Sequence, residues 1–290
     1  MKIKLDTFFD FLNNKQRQRF LKKLNIFFAI SCTFFIINNF KELNIDDVSI
    51  FNFDKIEIIL CLVFYLNSGT LWSKFMLANY SGKFIDYFFN WSYSKIGKYI
   101  PSGIMTVSVR LNQNFEKKQN QKVVFYGLVE EQFLIPFIAI PPLIFSLLIG
   151  EGSLKAVYLL VGILIMFIAI KIIYPRANLN YTQMVHFNTL FLLNYLFPIL
   201  LFNEIATNLN YSKPLDVSIS YFLAICIGLF FIGVPAGIGI REFIFLGYVS
   251  NFLPDTSALP IIIKIRVLFL IFDIVFGITG LLYTHLFKKN

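Results

Sequence analysis

Charged side chains are scarce in this sequence. Only 15% of its 290 residues are Asp, Glu, Lys or Arg, whereas 57% are hydrophobic and the mean hydropathy is +0.68. A soluble domain usually has about 25% charged residues, so this composition excludes an ordinary soluble protein. Long apolar runs recur along the whole chain, and they predict an all-α integral membrane protein.

Cysteine and histidine are also rare. Cys32, Cys61 and Cys226 lie far apart inside apolar runs, and His186 and His285 have no ligand spacing around them. We therefore expect no disulfide framework, no metal site and no cofactor. The sequence also lacks a phosphate-binding glycine loop with lysine, a Gly-x-Ser-x-Gly elbow and a His/Glu cluster. Because no stretch between apolar runs could hold a soluble catalytic domain, we expect no catalytic residue and no enzyme.

The basic residues are unevenly distributed. The formal charge is +9, and Lys and Arg cluster at 1–23, at 79–122 and at Lys288 and Lys289, whereas the loop 41–55 is mostly acidic. The positive-inside rule places the basic segments on the cytoplasmic side, where they would meet anionic headgroups. We therefore predict a bacterial cytoplasmic (inner) membrane protein with both termini cytoplasmic and no nucleic-acid partner.

The apolar runs predict about eight transmembrane helices, since a span needs about 20 apolar residues. The run 24–40 lacks a cleavage pattern and is expected to be a retained span. A cytoplasmic N-terminus, 1–23, would precede one polytopic membrane domain, 24–286, with halves 24–150 and 154–286. The segment 238–253 is short for a crossing, and a re-entrant half-helix is the alternative there. The predicted spans are 24–40, 56–78, 122–149, 154–175, 184–206, 215–234, 238–253 and 258–285.

Two Pro-Gly motifs interrupt apolar stretches, one in each half, and each is followed by an arginine. The first is Pro101-Ser102-Gly103 with Arg110, and the second is Pro235-Ala236-Gly237-Ile238-Gly239-Ile240-Arg241-Glu242. A bilayer tolerates broken backbone and ionised side chains only where protein or a water-filled cavity shelters them. One break in each half is typical of a transporter whose site lies between two repeats, so we expect an inverted repeat. Pro101 and Pro235 are then expected to approach each other near the middle of the bilayer.

The second motif favours a lipid-phosphate site. Its proline ends one helix, and a helix restarting near Ile238 presents free N–H groups. Arg241 adds a forked set of donors suited to phosphate. The alternative is a kink in which Arg241 forms a local ion pair and serves only as a structural lock.

The first motif also allows two interpretations. The segment 97–110 could be re-entrant and line a polar cavity. It could instead belong to an amphipathic helix on the cytoplasmic surface, with Lys95 and Lys98 reaching the headgroups.

Isolated charges in other apolar runs could complete the site. One of Glu130 and Glu131 should face the interior, because adjacent residues diverge by about 100° on a helix. Arg266 and an inward glutamate would be natural partners for Arg241 and Glu242. Structural ion pairs explain these charges as well as a function does.

The two motifs resemble those of the flippase-like family defined by the transmembrane region of lysylphosphatidylglycerol synthase. Lys98-Tyr99-Ile100-Pro101 followed by Arg110 is similar to that family's Tyr-x-Pro-Gly segment, and 235–242 is similar to its Pro-Gly-Gly-x-Gly-x-Arg-Glu signature. The resemblance covers about residues 20–285, with weaker matches at Trp72, Glu130, Arg266 and Gly277. The chain departs from the pattern at Ser102, Ala236 and Gln132. The resemblance implies a stand-alone translocating half without the aminoacyltransferase domain.

The leading hypothesis is a flippase-like protein that translocates or binds a phospholipid or a lipid-linked envelope precursor. Membrane lipids are the expected partners, together with envelope-biosynthesis enzymes. A membrane-embedded enzyme or an accessory subunit of glycolipid or polysaccharide biosynthesis is the alternative, with Asp86 its one acidic candidate, and a scaffold comes third. The candidate lipid-binding residues are Pro101, Gly103, Arg110, Glu130, Pro235, Gly237, Gly239, Arg241, Glu242 and Arg266.

Overall fold

The computed structural model describes residues 51–79, 81–99, 181–229, 239–249 and 258–287, together with Arg110 and five residues between 140 and 147. Within these ranges the chain is all-helical, without a strand. A 3₁₀ turn, Ile96–Tyr99, follows the second helix. The helices are α1 (Lys55–Asn79), α2 (Phe84–Ser94), α3 (Tyr181–Asn208), α4 (Pro214–Gly228), α5 (Ile240–Val249) and α6 (Leu259–Phe287).

Two helices in the described ranges are long and apolar enough to cross a membrane, Lys55–Ala78 in α1 and Val185–Asn208 in α3. They coincide with the predicted spans 56–78 and 184–206, and α6 covers the predicted span 258–285. The predicted spans 24–40 and 154–175 lie outside the described residues, as does most of 122–149. The count of eight therefore stays a prediction.

A tight turn joins α3 to α4. Asn210 takes a positive φ of 60°, and the amides of Tyr211 and Asn210 donate to the carbonyl oxygens of Ala206 (3.0 Å) and Thr207 (2.9 Å). These two bonds are those of a Schellman motif, in which asparagine tolerates the left-handed conformation. Pro214 then starts α4, since its fixed φ suits the first turn of a helix. The turn lets α4 fold back along α3.

Contacts between the long helices fix their relative directions. Glu57 pairs with Lys264, and Tyr65, two turns later in α1, bonds Asp273, two turns later in α6. α1 and α6 are therefore parallel. Asn208 at the end of α3 bonds Glu57 at the start of α1, so α3 is antiparallel to both. These directions agree with the predicted order of crossings.

α2 is a half-length helix packed between α1 and α6. Its 11 residues extend about 16 Å at 1.5 Å per residue, against about 30 Å of hydrocarbon. Asp86 bonds Tyr283, whereas Ile96 lies against Gly277, so α2 is antiparallel to α6. Trp91 is fully buried. α2 therefore packs within the bundle, whereas most of the segment 97–110, for which a surface helix was the alternative, lies outside the described residues.

α5 is the second half-length helix, with 10 residues or about 15 Å. Phe245 contacts Tyr221 of α4 with ring centroids 5.1 Å apart, and Arg241 lies against Gly228 at the end of α4. α5 is therefore antiparallel to α4, and the chain reverses direction between the two. Residues 250–253 lie outside the described residues, so the choice between a crossing and a half-helix in 238–253 stays a prediction.

α6 presents a continuous apolar face to the exterior. Its exposed large side chains recur at helical spacing and extend over about 24 Å at 1.5 Å per residue. An exposed apolar face of this length matches contact with lipid tails. The residues are Leu270, Ile271, Ile274, Val275, Ile278, Leu282 and Leu286.

Candidate functional site

The second motif forms the N-terminus of α5. Gly239 has a φ of 88°, which only glycine adopts without strain, and its carbonyl oxygen accepts the amide of Phe243 at 2.8 Å. The Oε2 atom of Glu242 accepts the Gly239 amide at 2.5 Å. This is the backward half of a capping box, with glycine at the N-cap and glutamate at the third helical position.

Glu242 also forms the ion pair of the site. Arg266 of α6 donates its Nε to Oε1 of Glu242 at 2.6 Å, and its Nη2 bonds the same oxygen. The Tyr221 hydroxyl lies within hydrogen-bonding reach of Arg266. The partnership expected between Arg266 and Glu242 is thus confirmed. Both carboxylate oxygens of Glu242 already have a donor.

Arg241 lies beside this pair but does not join it. A Cβ at Gly228 would be 2.6 Å from the Arg241 Cγ and 3.2 Å from its Nε, so the arginine lies directly on that glycine. The Nε is buried, with no hydrogen-bond partner among the described residues. Arg266 and Glu242 are near enough to act on its charge. No carboxylate in the described ranges forms an ion pair with Arg241, and Glu130 and Glu131, either of which could form the alternative structural lock, lie outside those ranges.

Among the described residues the cluster has an excess of positive charge. Two guanidinium groups, Arg241 and Arg266, lie near one carboxylate, Glu242, which pairs with Arg266. Arg241 is also the second residue of α5, where the helix dipole adds positive potential and disfavours a cation. An incoming anion would relieve both effects and could accept from the free first-turn amides. The arrangement has the electrostatics of an anion-binding site.

Arg110, the arginine of the first motif, is held differently. Its side chain is only 1% exposed. Its Nε donates to the Ser94 Oγ at 2.9 Å, and its guanidinium carbon lies 4.5 Å from the centroid of the Trp72 ring. Ser94 closes α2 and donates its own hydroxyl to the Trp91 carbonyl oxygen at 2.6 Å. Arg110 is therefore fixed by contacts within the protein.

The structure brings together Gly239, Arg241, Glu242 and Arg266. Arg110 contacts Ser94 at the end of α2 and Trp72 of α1. The remaining predicted site residues lie outside the described ranges, as does the expected approach of the two prolines. They are Pro101, Gly103, Glu130, Pro235 and Gly237.

A second ion pair was not predicted from the sequence. Lys264 Nζ lies 2.8 Å from Glu57 Oε1, and the two side chains are 3% and 0% exposed. Asn208 donates to the same oxygen at 2.9 Å, and the Asp54 amide donates to Oε2 at 3.2 Å. The pair joins α1, α3 and α6 at one end of the bundle. The available signal was a lysine within the otherwise apolar run of α6.

A buried carboxylate occupies the middle of α6. Asp273 accepts the Tyr65 hydroxyl at 2.7 Å and is 1% exposed. Asp273 shares a helix face with Arg266, seven residues earlier, yet each binds a different helix. The described ranges contain no group of three or more metal-ligating side chains, and Cys61 and Cys226 are free thiols.

Comparison with protein-family models, with curated proteins and with solved structures gave no match. The function is therefore argued from the geometry of the Arg241 cluster.

Proposed function

We propose that this protein is a flippase-like membrane protein that binds the anionic phosphate headgroup of a lipid at Arg241 and moves it across the bacterial cytoplasmic membrane. The observation that carries the proposal is the buried Arg241 Nε without an acceptor, beside a carboxylate whose oxygens are already used. An unpaired buried donor on a cation costs free energy. A ligand that supplies the acceptor removes that cost.

A phosphate suits this position better than a smaller anion. The guanidinium of Arg241 presents a planar fork that matches two phosphate oxygens. Arg266 reaches the same region while it is held by Glu242, and the start of α5 supplies amide donors. Glu242 then acts as a positioning residue that orients Arg266 and caps α5, and it is not itself a ligand of the phosphate.

A lipid is the proposed source of the phosphate because the surroundings are apolar. α1 and α3 are long enough to cross a bilayer, and the outward face of α6 carries large apolar side chains over its C-terminal half. The acyl tails would remain in the membrane while the headgroup reaches Arg241. The half-length helices α2 and α5 are the kind of discontinuous element that forms substrate sites in transporters.

The membrane-enzyme alternative rests on Asp86. Its Oδ1 accepts the Tyr283 hydroxyl at 2.9 Å, and the Tyr283 ring stacks on Phe89 with centroids 4.3 Å apart. These contacts join α2 to α6 and leave Asp86 a structural role. They favour translocation over catalysis.

Translocation of fluorescent phosphatidylglycerol in proteoliposomes tests the proposal. Arg241→Ala should abolish transfer and Arg241→Lys should leave a partial rate, because lysine keeps the charge without the fork. Lys74→Ala on α1, which removes a cation outside the cluster, is the matched control and should transfer normally. A folded Arg241→Ala protein that transfers lipid at the natural rate would disprove the assignment.

A further inference from the structure

α3 carries two buried polar side chains whose hydrogen-bonding atoms are unused. The Tyr195 hydroxyl and the Asn188 Oδ1 atom have no hydrogen-bond partner among the described residues, although the two side chains are only 1% and 3% exposed. They lie seven residues apart, or about two turns, and therefore share one face of the helix. An unsatisfied buried polar atom costs free energy, so two of them on one face indicate groups that a ligand satisfies.

Tyr195 lies at the level of the Arg241 site. Phe202 of α3 contacts Tyr221 of α4 with ring centroids 5.1 Å apart, and the two helices are antiparallel. Tyr195 is two turns before Phe202 on α3, and Gly228 is two turns after Tyr221 on α4, so Tyr195 and Gly228 are level with each other. Gly228 is the residue on which Arg241 rests.

Cys226 connects Tyr195 to Arg241. The Tyr195 ring meets Phe222 of α4 with centroids 5.3 Å apart, and Cys226 is one turn further along that helix. Cys226 is buried, and its thiol is near enough to interact electrostatically with both Tyr195 and Arg241. The Tyr195 hydroxyl and the Arg241 guanidinium therefore belong to one region at the end of α4.

Asn188 lies beyond the end of α4, toward the start of α5. It is two turns before Tyr195, or about 10 Å along α3. Because α5 is antiparallel to α4 and thus parallel to α3, Gly239 at the start of α5 lies on the Asn188 side of Gly228. The first turn of α5 accordingly begins between the levels of Asn188 and Tyr195.

The unused atoms match a ligand that carries hydroxyl groups. Asn188 Oδ1 can only accept and the Arg241 Nε can only donate, whereas the Tyr195 hydroxyl can do either. A phosphate ester of a polyol offers an acceptor to the arginine and hydroxyls that both donate and accept. An ammonium headgroup offers no acceptor and would meet two arginines, and both oxygens of Glu242 are already bonded.

We infer that Tyr195 and Asn188 form a polyol subsite beside Arg241, which makes the site selective for an anionic lipid whose phosphate carries glycerol or a sugar. The phosphate binds Arg241 and the start of α5, and the hydroxyls of the headgroup bind the face of α3. The inference rests on the proposed function and assigns specificity to two residues that the phosphate site itself does not use.

Two lipids that differ only in hydroxyl groups test the inference. Short-chain phosphatidylglycerol and phosphatidylpropanol have the same singly charged phosphodiester and a three-carbon headgroup, but phosphatidylpropanol lacks both hydroxyls. Titrated into the purified protein, phosphatidylglycerol should bind about tenfold more tightly than phosphatidylpropanol. Tyr195→Phe and Asn188→Leu should each reduce this preference by weakening the binding of phosphatidylglycerol alone. Phosphatidylethanolamine should bind more weakly than phosphatidylglycerol by at least about tenfold.

Tyr87→Phe is the matched control, since it removes a hydroxyl from α2 that bonds the Ser81 carbonyl oxygen at 3.1 Å. It should leave the preference between the two lipids unchanged. Thermal melting of the ligand-free protein gives a second readout. Tyr195→Phe should not lower the Tm, because the hydroxyl that it removes has no bond within the described residues, whereas Tyr87→Phe should lower it. Equal losses of Tm would show that the protein itself uses the Tyr195 hydroxyl and would overturn the subsite.

The outcomes separate the subsite from the proposed function. If Arg241→Lys weakens the binding of both lipids while Tyr195→Phe and Asn188→Leu leave their ratio unchanged, the subsite is wrong and the Arg241 site stands. If Arg241→Lys weakens the binding of neither lipid, the proposed function fails and the subsite fails with it. Glycerol phosphate is the soluble arm of the experiment, and binding as tight as that of phosphatidylglycerol would overturn a lipid as the source of the headgroup.

Discussion

Arg110 and Arg241 are chemically identical side chains in two very different environments. Arg110 is almost fully buried, yet it has a hydroxyl acceptor and an aromatic ring. Arg241 lies at the positive end of a helix beside another arginine, and its Nε has no acceptor in the described part of the chain. The two arginines thus differ in burial and in their hydrogen-bond acceptors: Arg110 is buried and paired with Ser94, whereas Arg241 is partly buried and its Nε has no acceptor among the described residues.

The difference follows from the cost of removing a charge from water. A buried cation is tolerated when hydrogen bonds and a counter-charge or a ring replace its hydration. Ser94 and Trp72 do this for Arg110, whereas Glu242 serves Arg266 instead of Arg241. Within the described residues the Arg241 Nε is left without an acceptor, which is the basis of the proposed anion site.

The largest effect should come from Glu242→Gln. The change leaves Arg266 without its ion-pair partner and both arginines without a neighbouring negative charge, and loss of a partly buried, charge-assisted pair costs about 3 kcal/mol. The free energy of unfolding, measured in mixed micelles, should fall by that amount. Added phosphatidylglycerol should restore part of the stability, because its phosphate replaces the lost negative charge.

Glu204→Gln is the matched control for this change. It removes the same negative charge from α3, at a position outside the cluster. It should alter the unfolding free energy by less than about 0.5 kcal/mol. Equal losses in the two variants would mean that Glu242 does not neutralise the arginines.

The second prediction compares the two arginines directly. Arg110→Ala should lower the free energy of unfolding by about 3 kcal/mol, because it empties a packed site and removes a charge-assisted hydrogen bond. Arg241→Ala should change the free energy of unfolding little, because the Arg241 Nε has no hydrogen bond within the described residues that the substitution could remove. Thermal unfolding in detergent measures both. A larger loss in Arg241→Ala would reverse the comparison and favour a structural role for that residue.

The third prediction concerns how firmly α2, the helix that holds Arg110, is fixed. An added Cβ at Gly280 of α6 would collide with the Tyr93 amide and the Phe89 carbonyl oxygen of α2, which are backbone atoms that cannot rotate away. Gly280→Ala should therefore cost about 1–3 kcal/mol of stability. Gly247→Ala on α5 meets open space and should be neutral or slightly stabilising. Equal effects would mean that α2 and α6 do not approach as closely as described.

Much of this architecture could be predicted from the sequence because long apolar runs are a strong signal. α1, α3 and α6 follow such runs, and the Gly239-Ile240-Arg241-Glu242 segment starts a helix as expected. The half-helix α2 was not predicted as a packed element, since its mixed composition also fits a surface helix. The Glu57–Lys264 pair was not predicted because its two charges meet only through the packing of α1 on α6.

The choice of partner at the site could be predicted only in part. The isolated charges in the apolar runs suggested Arg266 and an inward glutamate as partners for Arg241 and Glu242, but they could not decide whether Arg241 shares the Glu242 carboxylate. Whether Arg241 can reach the Glu242 carboxylate depends on which of its oxygens are already bonded. Oε2 accepts the Gly239 amide at the start of α5, and Oε1 accepts from Arg266. The choice between a structural lock and a ligand site at Arg241 therefore depends on three-dimensional geometry on the scale of one hydrogen bond.

The smallest predicted effect tests the ring beneath Arg110. Trp72→Phe keeps an aromatic face but weakens its attraction for the guanidinium carbon 4.5 Å away, so the free energy of unfolding should fall by about 0.5–1 kcal/mol beyond the loss of buried area.

A double-mutant cycle with Arg110→Lys isolates this contribution, because the packing losses of each single change cancel. We expect a coupling energy of about 0.5–1 kcal/mol between Trp72 and Arg110. The same cycle between Trp72 and Arg241 should give a smaller coupling energy, since Arg241 lies against Gly228 at the end of α4. Coupling of equal size in both cycles would mean that the two arginines respond to one shared environment, and the distinction between a held and an available arginine would be lost.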